Sequence, residues 1–551
     1  MSGGAEEQFD LVVVGSGAGG MTAALTAHDA GLSTVIIEKS RRFGGSTSIS
    51  GGGIWIPNNP TLRSAGRGDS RDRVLTYLRQ VSGGRVAEAR LEAYVDHGPA
   101  AMQMLDRSRW WKASWVRGYA DYHPEFAGGS PSGRSIEPTP IDTRKLEDDE
   151  QYMHPNGMAG PLGLWVTQKD YHDLAMAKRT WRGRLATVRA AWRVSSNMVR
   201  RRHMATGGRA LSARLRLALK DAEIPLWTRC PMTDLLVEDE AVVGVSVMRN
   251  GVNTVLRARR GVVLAAGGFE HNQQMRDAHL PDGARPNRSL GVRSNTGDAI
   301  AAAQKLGAAT DLLNDAWWMP SIEHPMGPSI PLVSERAIPG QVIVSGDGKR
   351  FTNEASPYVN FVHHQLEGKH VPVWLVMDSR ARARYPFAQI LPGKEFPDAF
   401  YQKGIVHRAE TLTTLANSVG LPADALSATI SRFNRFARAG VDEDFGRGRS
   451  AHDRYYGDPS LPNPNLAPVE RPPFYAIRID IGDLGTKGGL VTDEHARVLR
   501  PDNTPIRGLY ATGNTAASVM GNDYAGPGAT IGPAIVFGYL AARHAAGLPA
   551  A

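Results

Sequence analysis

A glycine-rich turn near the N-terminus has the residue types that bind a phosphate. It reads Gly15-Ser16-Gly17-Ala18-Gly19-Gly20 and follows the β-branched run at residues 9–14. Gly15 permits a tight turn, Gly17 lets the backbone approach a pyrophosphate, and Gly20 lets the next helix pack closely on the strand. The unpaired N–H groups at the start of that helix would bind the phosphate oxygens. The pattern therefore predicts a dinucleotide site.

A carboxylate stands where such a site needs one for the ribose. Glu38 lies eighteen residues after Gly20 and directly follows a predicted strand at residues 33–37. A carboxylate there can accept hydrogen bonds from the ribose diol, and it disfavours a 2′-phosphate. Strand, glycine turn, helix, strand and acid thus occur in the order of one βαβ unit.

Three further segments favour FAD over NAD. Residues 43–53 are small and rich in hydrogen-bond donors, which suits a pyrophosphate and a flavin edge. Residues 261–268 read as a buried strand entering a turn, and residues 508–514 as a strand ending in glycine and an amide. A helix over 534–546 follows, with Pro533 near its first turn. Its N-terminus would stabilise the negative charge of a reduced flavin.

The chain of 551 residues is too long for one ordinary core. We expect a discontinuous cofactor domain over residues 1–285 and 475–551, with a catalytic domain over 286–474 inserted between its halves. A strand pair is predicted within 226–247. Helices are predicted at 298–306 and 412–439, the second interrupted at Gly420-Leu421-Pro422.

The net charge of +9 comes from one segment. Residues 174–220 contain thirteen Lys and Arg side chains and no acid, so the remainder of the chain carries 9 − 13 = −4. On a helix, Trp181, Leu185, Val188 and Trp192 would form one apolar stripe. Arginines flank this stripe, namely Arg182, Arg184, Arg189, Arg193, Arg200, Arg201 and Arg202. Tryptophan with arginine is typical of a helix on an anionic membrane surface. Packing of the stripe on the protein's own core is the alternative.

Several classes of protein and site are disfavoured by the sequence. No apolar stretch is long enough to span a bilayer, and no base-reading module accompanies the cations, so nucleic acid is not an expected partner. The polar residues 1–8 do not resemble a signal peptide, and Cys230 is the single cysteine. These features predict a cytoplasmic protein, with docking on the inner face of the cell membrane left open. No metal site is expected, because the adjacent His363 and His364 point to different faces.

The order of motifs resembles the fumarate reductase and succinate dehydrogenase flavoprotein superfamily, and within it the 3-oxosteroid 1-dehydrogenases. The matching pieces are GGST (44–47), GGIWIPNN (52–59), GYADY (118–122), DAWW (315–318), RFTNE with PY (350–354, 357–358), GVDEDF (440–445), GDLGTKGG (482–489) and YAGPG (524–528). The expected fold class is accordingly α/β, with a Rossmann-like FAD-binding domain of the glutathione-reductase type and an inserted α+β catalytic domain.

This resemblance implies insertion of a double bond between carbons 1 and 2 of the A ring of a 3-oxosteroid. Tyr524 and the backbone N–H of Gly528 would hold the 3-oxo group and stabilise its enolate. Tyr358 would take the proton from carbon 2, and Tyr122 would tune it. Tyr119 lies three residues before Tyr122 and is the alternative for that role. The electron acceptor is left open, a quinone being one candidate.

FAD is expected to bind without a covalent link. Residues 30–93, which surround the glycine-rich loop at 43–53, contain no histidine to which the flavin could be attached. The expected cofactor contacts are Gly15, Ser16, Gly17, Ala18, Gly19, Gly20, Glu38, Lys39, Ser40, Gly45, Ser46, Thr47, Ser50, Gly51, Gly52, Ala266, Gly267, Gly513, Asn514 and Ile531. Two other functions fit the same chemistry or fold. One is a 3-oxosteroid 4-dehydrogenase or related enone reductase, and the other a membrane-associated electron-transfer flavoprotein.

Overall fold

The computed structural model describes residues 6–155 and 165–549, which form a mixed α/β structure. The α-helices are α1 (Ala18–Asp29), α2 (Gly45–Ile49), α3 (Pro60–Ser64), α4 (Arg71–Ser82), α5 (Glu88–Asp106), α6 (Gln168–Ala175), α7 (Trp181–Arg200), α8 (Gly207–Asp221), α9 (Gln273–His279), α10 (Asp298–Gln304), α11 (Tyr358–Glu367), α12 (Ser379–Arg384), α13 (Asp398–Gln402), α14 (Leu412–Ser418), α15 (Ala423–Ala439), α16 (Ala451–Tyr455) and α17 (Ile531–Ala545). The β-strands are β1 (Glu6–Val14), β2 (Thr34–Ile37), β3 (Ile54–Trp55), β4 (Ala113–Trp115), β5 (Ser135–Pro138), β6 (Ile141–Asp142), β7 (Met204–Ala205), β8 (Leu226–Trp227), β9 (Met232–Glu238), β10 (Ala241–Arg249), β11 (Val252–Leu264), β12 (Thr310–Asp311), β13 (Ala316–Ile322), β14 (Ile330–Pro331), β15 (Gln341–Val344), β16 (Val373–Asp378), β17 (Val406–Ala409), β18 (Phe474–Thr486), β19 (Gly489–Leu490), β20 (Arg497–Leu499) and β21 (Pro505–Ala511).

The larger sheet brings together the predicted cofactor segments from both ends of the chain. Its strand order is β20-β21-β10-β11-β1-β2-β8, with β9 paired to β10. The strands β2, β1, β11 and β21 run parallel, and Val14 is in register with both Ile37 and Leu264, while Leu264 pairs with Ala511. Four strands therefore end at one edge of the sheet, which is where α/β folds bind nucleotides. The strands predicted at 9–14, 33–37 and 508–514 are confirmed within three residues at their ends. The strand predicted at 261–268 is also present, but it begins nine residues earlier, at Val252, and ends at Leu264.

Small residues let α1 and α17 pack against each other and against the sheet. A Cβ atom on Gly20 would lie 2.1 Å from the carbonyl oxygen of Gly15, and one on Gly538 would lie 2.4 Å from that of Gly19. Both distances are far below any real contact, so these positions need glycine. The close packing brings the first turn of α17 beside the glycine turn.

A second sheet has the order β14-β13-β18-β16-β15, with β17 paired to β18, and its pairs are antiparallel. Its strands lie in the middle of the chain except for β18, which leads back into the cofactor segments. The predicted helix over 298–306 is α10. The predicted helix over 412–439 divides into α14 and α15 around Gly420, which has a positive φ of 71°.

The basic segment contains the last two residues of α6, all of α7 and nearly all of α8, and the apolar stripe of α7 faces outward. Trp181, Leu185, Val188 and Trp192 are 70%, 38%, 66% and 70% exposed, whereas the buried face of α7 consists of Gly183, Ala186 and Ala190. The alternative in which the stripe packs on the protein's own core is therefore wrong. Within the described part of the chain, no helix combines the length and the hydrophobicity that crossing a bilayer requires.

One of the arginines that flank the stripe pairs with an acid outside the basic segment. Arg193 donates to Asp170 of α6 at 2.6 Å, and its guanidinium lies 4.4 Å from the centre of the Trp165 ring. This ion pair joins α7 to α6. The basic segment itself contains no acid, so the partner comes from the preceding helix.

Candidate active site

The start of α1 is open to an anion. Gly17 caps the helix without a side-chain hydrogen bond, and its first turn contains no acid. The N–H groups at a helix N-terminus need acceptors, and phosphate oxygens supply them. A Cβ atom on Gly17 would meet only the Thr47 hydroxyl, at 3.6 Å. By contrast, one on Gly15 would lie 2.3 Å from the carbonyl of Ala265 and 2.9 Å from Cα of Ala266.

Glu38 ties the ends of β1 and β2 together at this edge. Its Oε2 accepts hydrogen bonds from the N–H and the hydroxyl of Ser16, at 3.2 and 2.6 Å, and its Oε1 accepts from the Ser40 N–H at 2.8 Å. Burial raises the pKa of this carboxyl, and the three donors oppose the shift. A carboxylate has lone pairs for about four donors, so a ribose hydroxyl can still bind. The neighbouring Lys39 points its ammonium at Asp298, at 2.5 Å.

The loop of small residues at 43–53 packs on α1 and on the start of α8. The Thr47 hydroxyl accepts from the N–H of Ala18 at 3.1 Å, and the Ser46 hydroxyl accepts from the N–H of Val292 at 3.2 Å. The N–H of Gly208 donates to the carbonyl of Ser50 at 3.0 Å. These contacts hold the loop against the glycine turn.

The sequence prediction missed Gly207 and Gly208, although a glycine pair at a helix start was a signal. A Cβ on Gly208 would lie 1.8 Å from the carbonyl of Thr47, and one on Gly52 would lie 2.2 Å from the backbone of Gly207. Two backbones therefore meet here with no room for a side chain.

Residues from the C-terminal part close the same edge. The Thr515 hydroxyl donates to the carbonyl of Gly267 at 2.9 Å, which joins the 3₁₀ turn Gly513–Thr515 to the end of β11. The Asn514 amide oxygen accepts from the Trp317 indole at 3.1 Å. Helix α17 begins at Ile531 without a side-chain cap.

The donor set at this edge fits FAD. Uncapped N-termini of α1 and α17 suit a pyrophosphate and the electron-rich edge of a reduced flavin, and Glu38 suits a ribose. Among the described residues, no group of three or more His, Cys, Asp or Glu side chains is arranged to hold a metal ion.

Three buried tyrosines, Tyr122, Tyr358 and Tyr524, lie in contact with one another. The ring centres of Tyr122 and Tyr358 are 5.5 Å apart, those of Tyr122 and Tyr524 are 5.1 Å apart, and those of Tyr358 and Tyr524 are 5.7 Å apart, all edge to face. Burial raises the pKa of the Tyr358 phenol well above its ordinary value, while hydrogen bonding from Tyr122 opposes that rise. Burial also raises the pKa of Tyr524, and hydrogen bonding with Thr530, Tyr358 and the Gly528 N–H opposes that rise.

Each of these groups is placed by a different element. Tyr358 is the first residue of α11, directly after Pro357. The backbone N–H of Tyr122 donates to the carbonyl of Ala525 at 3.1 Å, so the two loops that bear Tyr122 and Tyr524 are joined. Gly528 has a φ of 95°, and a Cβ there would lie 2.2 Å from the backbone of Gly53.

The geometry separates Tyr122 from Tyr119. Tyr119 stacks on Tyr455 with ring centres 4.3 Å apart, and its hydroxyl accepts from Tyr456 at 3.0 Å. Its ring is 6.4 Å from that of Tyr122, which alone of the two contacts Tyr358. Tyr119 therefore lies further from Tyr358 than Tyr122 does.

Two neighbours of the tyrosines were also missed. The His452 ring packs edge to face on Tyr122 at 4.9 Å, and burial lowers the pKa of this histidine. Trp317 packs on Tyr524 at 4.8 Å and donates to Asn514, so it connects the tyrosines with the cofactor edge. The motif at 315–318 was visible in the sequence, but no spacing rule assigned Trp317 a contact.

Comparisons with known proteins agree with this geometry. The family model described as an FAD binding domain matches residues 10–531. A 3-oxosteroid 1-dehydrogenase of Mycobacterium tuberculosis is 48% identical over 98% of both chains. A 4-oxocyclohexanecarboxylate 2-dehydrogenase of Sinomonas cyclohexanicum is 35% identical over 98% of this chain and 93% of its own.

A solved structure is similar over the whole chain. The crystal structure of 3-ketosteroid Δ1-dehydrogenase from Sterolibacterium denitrificans, in complex with 1,4-androstadiene-3,17-dione, has a TM-score of 0.92 and 40% identity, and covers 98% of this chain and 100% of that one. With a family model over most of its length and close relatives over nearly all of it, the chain belongs to the FAD-binding flavoproteins and, among them, to the family of 3-oxosteroid 1-dehydrogenases.

Proposed function

We propose that this chain catalyses FAD-dependent 1,2-dehydrogenation of the A ring of 3-oxosteroids, converting a 3-oxo-4-ene into a 3-oxo-1,4-diene. The observation that carries the proposal is the meeting of Tyr122, Tyr358, Tyr524 and the Gly528 amide beside the cofactor edge. Those groups match the demands of the reaction, which needs donors for an enolate oxygen and a base for the adjacent proton.

The ketone is activated by two donors. In this role the Tyr524 hydroxyl and the Gly528 N–H both donate to the ketone oxygen, as in an oxyanion hole, and the proximity of the Gly528 N–H to the Tyr524 phenol supports the pairing. Their hydrogen bonds strengthen as negative charge moves onto the ketone oxygen, so they favour the enolate over the substrate.

Tyr358 removes the proton from carbon 2 as a phenolate. The free pKa of tyrosine is about 10, so the site must stabilise that phenolate. The Tyr122 phenol, whose ring centre lies 5.5 Å from that of Tyr358, would donate a hydrogen bond to the phenolate and counter part of the effect of burial on the Tyr358 pKa. Bound FAD supplies the acceptor for the hydride of carbon 1.

Anaerobic mixing of the holoenzyme with androst-4-ene-3,17-dione tests this function. We expect bleaching of the oxidised flavin and formation of androsta-1,4-diene-3,17-dione. A second arm uses 5α-androstane-3,17-dione, from which a 1-dehydrogenase makes the 1-ene and a 4-dehydrogenase makes the 4-ene. Formation of the 4-ene would replace the proposal by its rival, and absence of bleaching with both steroids would refute steroid oxidation.

We infer a quinone as the electron acceptor and an anionic membrane surface as the docking partner. Helix α7 supports the second inference through its exposed stripe of Trp181, Leu185, Val188 and Trp192. Six arginines beside it form no ion pair within the described part of the chain, namely Arg182, Arg184, Arg189, Arg200, Arg201 and Arg202. Indole rings favour the headgroup level and guanidinium groups favour anionic lipid. Docking there brings the enzyme to a phase in which steroids and quinones both dissolve.

Vesicle sedimentation tests the docking. We expect the holoenzyme to bind vesicles of phosphatidylglycerol and phosphatidylcholine at low salt, and Trp181→Ala/Trp192→Ala to bind far less. Met326→Ala/Leu391→Ala is a matched control, since these side chains are 88% and 62% exposed elsewhere. Equal sedimentation of both double variants would contradict docking through α7.

Oxidation of the reduced enzyme by a water-soluble quinone, compared with oxidation by a dye of similar potential, tests the electron acceptor.

A further inference from the structure

Arg336 is buried against the first turn of α11, the helix that begins with Tyr358. Only 2% of the residue is exposed. Its guanidinium donates to the carbonyls of Glu354 and Ser356, at 2.7 and 3.1 Å, and to that of Leu332 at 3.0 Å. It also lies 5.0 Å from the centre of the Phe361 ring. Its contacts therefore fall on both sides of Tyr358 along the chain.

This arginine lacks the carboxylate partner that its buried neighbours have. Arg350 pairs with Glu354 at 2.7 Å and with Asp442 at 2.8 Å, and Arg447 lies 3.3 Å from Glu354. Among the described residues, no carboxylate lies within 4.0 Å of the Arg336 guanidinium.

The other basic side chains near the tyrosines are either paired with a carboxylate or neutral. Lys487 pairs with Asp315 at 2.9 Å, and His123 pairs with Asp523 at 2.9 Å. Burial lowers the pKa of His452, so its ring is neutral against Tyr122. Among the described residues beside this cluster, Arg336 is therefore the cation whose charge is not matched by a carboxylate within 4.0 Å.

The groups that face Arg336 come from several elements. Glu335 is adjacent in sequence, and burial raises the pKa of its carboxyl, which weakens it as a counter-ion. Asp453 accepts from Asn353 and from the Gly448 N–H instead. The remaining titratable neighbours are Tyr119, Tyr122, Tyr358 and His452, and Arg447 donates to the Arg336 carbonyl.

An unmatched buried cation is costly to the fold, because desolvation is repaid only in part by neutral carbonyls. The cost has a use if a negative charge forms next to it during the reaction. Burial lowers the pKa of Arg336 to about 10, so it is still charged at neutral pH.

We propose that Arg336 is a positioning residue for the base: its guanidinium fixes the first turn of α11 and supplies the positive charge against which the Tyr358 phenolate forms. The assignment rests on the proposed role of Tyr358. A planar guanidinium suits this place because it can donate to several carbonyls at once and still present its charge.

Two variants separate the charge from the hydrogen bonds. Arg336→Lys keeps the charge, and Arg336→Gln keeps an amide donor for the carbonyls while losing the charge. Flavin bleaching by androst-4-ene-3,17-dione is followed in the holoenzymes from about pH 6 to pH 10. In Arg336→Gln we expect the acid limb of the rate profile to move up by about one pH unit, which lowers the rate at neutral pH roughly tenfold and lets it recover at high pH.

Arg336→Lys should keep its acid limb where the wild type has it. A matched control is Arg382→Gln, since Arg382 is also buried, donates to the carbonyls of Leu391 and Lys394 and lies 5.1 Å from the centre of the Phe396 ring. This control should lose stability without moving the profile.

A rate in Arg336→Gln that falls by the same factor at every pH would overturn the proposal, because a structural defect has that signature. If Arg336→Gln fails to retain FAD, a displaced limb in Arg336→Lys would overturn it equally. Failure of the wild type to bleach with steroid would instead refute the proposed function, so the two failures are distinguishable.

Discussion

At the scale of single residues, the candidate site brings together the phenols of Tyr122, Tyr358 and Tyr524, all of which are buried. Burial raises the pKa values of Tyr122 and Tyr358 well above the ordinary value, so neither is a base without help. In the proposed mechanism that help is a hydrogen bond donated by Tyr122 and the positive charge of Arg336. Such a group is reactive only in its assembled setting, which explains why most tyrosines of the chain carry no comparable role.

Tyr358→Phe should abolish steroid-dependent bleaching of the flavin while leaving FAD bound, because it removes the proposed base and no cofactor contact. Tyr455→Phe is the matched control, since Tyr455 stacks on Tyr119 at 4.3 Å but lies outside the trio. Stopped-flow absorbance of both holoenzymes measures the difference. Near-normal bleaching by Tyr358→Phe would remove this residue from the mechanism.

Local spacing predicted the strands whose ends form the proposed cofactor edge. The glycine turn, Glu38 and the four strand ends follow from patterns within short stretches of sequence. The contacts of His452, Trp317 and Arg336 could not be predicted in this way. The contacts of His452 with Tyr122 and of Trp317 with Tyr524 join segments that are 452 − 122 = 330 and 524 − 317 = 207 residues apart. Arg336 reaches the residues around Tyr358 across the intervening strand β15, and no periodicity encodes which loop meets which tyrosine.

Glu38→Gln should weaken FAD binding, because the ribose would lose a charged acceptor and one of the two oxygens that accept from Ser16 and Ser40 would become an NH2 group, which cannot accept. The variant keeps the size of the side chain, so the packing of β1 on β2 should persist. Titration of apoprotein with FAD, followed by quenching of flavin fluorescence, gives the dissociation constant. An unchanged constant would exclude a ribose contact at this position.

At the scale of elements, the site depends on backbones that approach each other without side chains between them. Gly208→Ala should reduce both FAD content and stability, because its Cβ would lie 1.8 Å from the carbonyl of Thr47 and would push α8 off the loop. Overpacking of this kind costs about 1–3 kcal/mol. Gly346→Ala is the control, since nothing lies within 4 Å of its Cβ. Similar melting temperatures for the two variants would contradict close packing at α8.

At the scale of the whole molecule, the basic segment is attached through charges supplied by other parts of the chain. Arg179 pairs with Asp458 at 2.6 Å, Arg216 pairs with Asp149 at 2.7 Å, and Arg193 pairs with Asp170. The pairing leaves the exposed arginines of α7 free to face outward. A segment that looks uniformly basic in sequence is thus divided by the fold into an anchoring part and a free part.

Attachment of this segment also includes a buried carboxyl whose ionisation opposes folding. Glu137 accepts the N–H of Gln168 at the start of α6, at 3.0 Å, and burial raises its pKa to about 7. Because the folded pKa lies above the unfolded value of 4.5, its contribution is complete below about pH 4.5 and is lost as pH rises to about 7. A shift of this size corresponds to about 3 kcal/mol.

Glu137→Gln should therefore flatten the pH dependence of stability. Its melting temperature relative to wild type should rise between pH 5 and pH 8, since the amide keeps the acceptor and cannot ionise. Flavin fluorescence during heating of the holoenzymes, at a fixed scan rate, measures the difference. Glu410→Gln, at a side chain that is 71% exposed, should show no such trend. A constant difference in melting temperature between Glu137→Gln and wild type across this range would contradict the prediction. It would mean that Glu137 does not ionise within the folded protein over this range, or that it is solvated there, so that its contact with the start of α6 does not respond to pH.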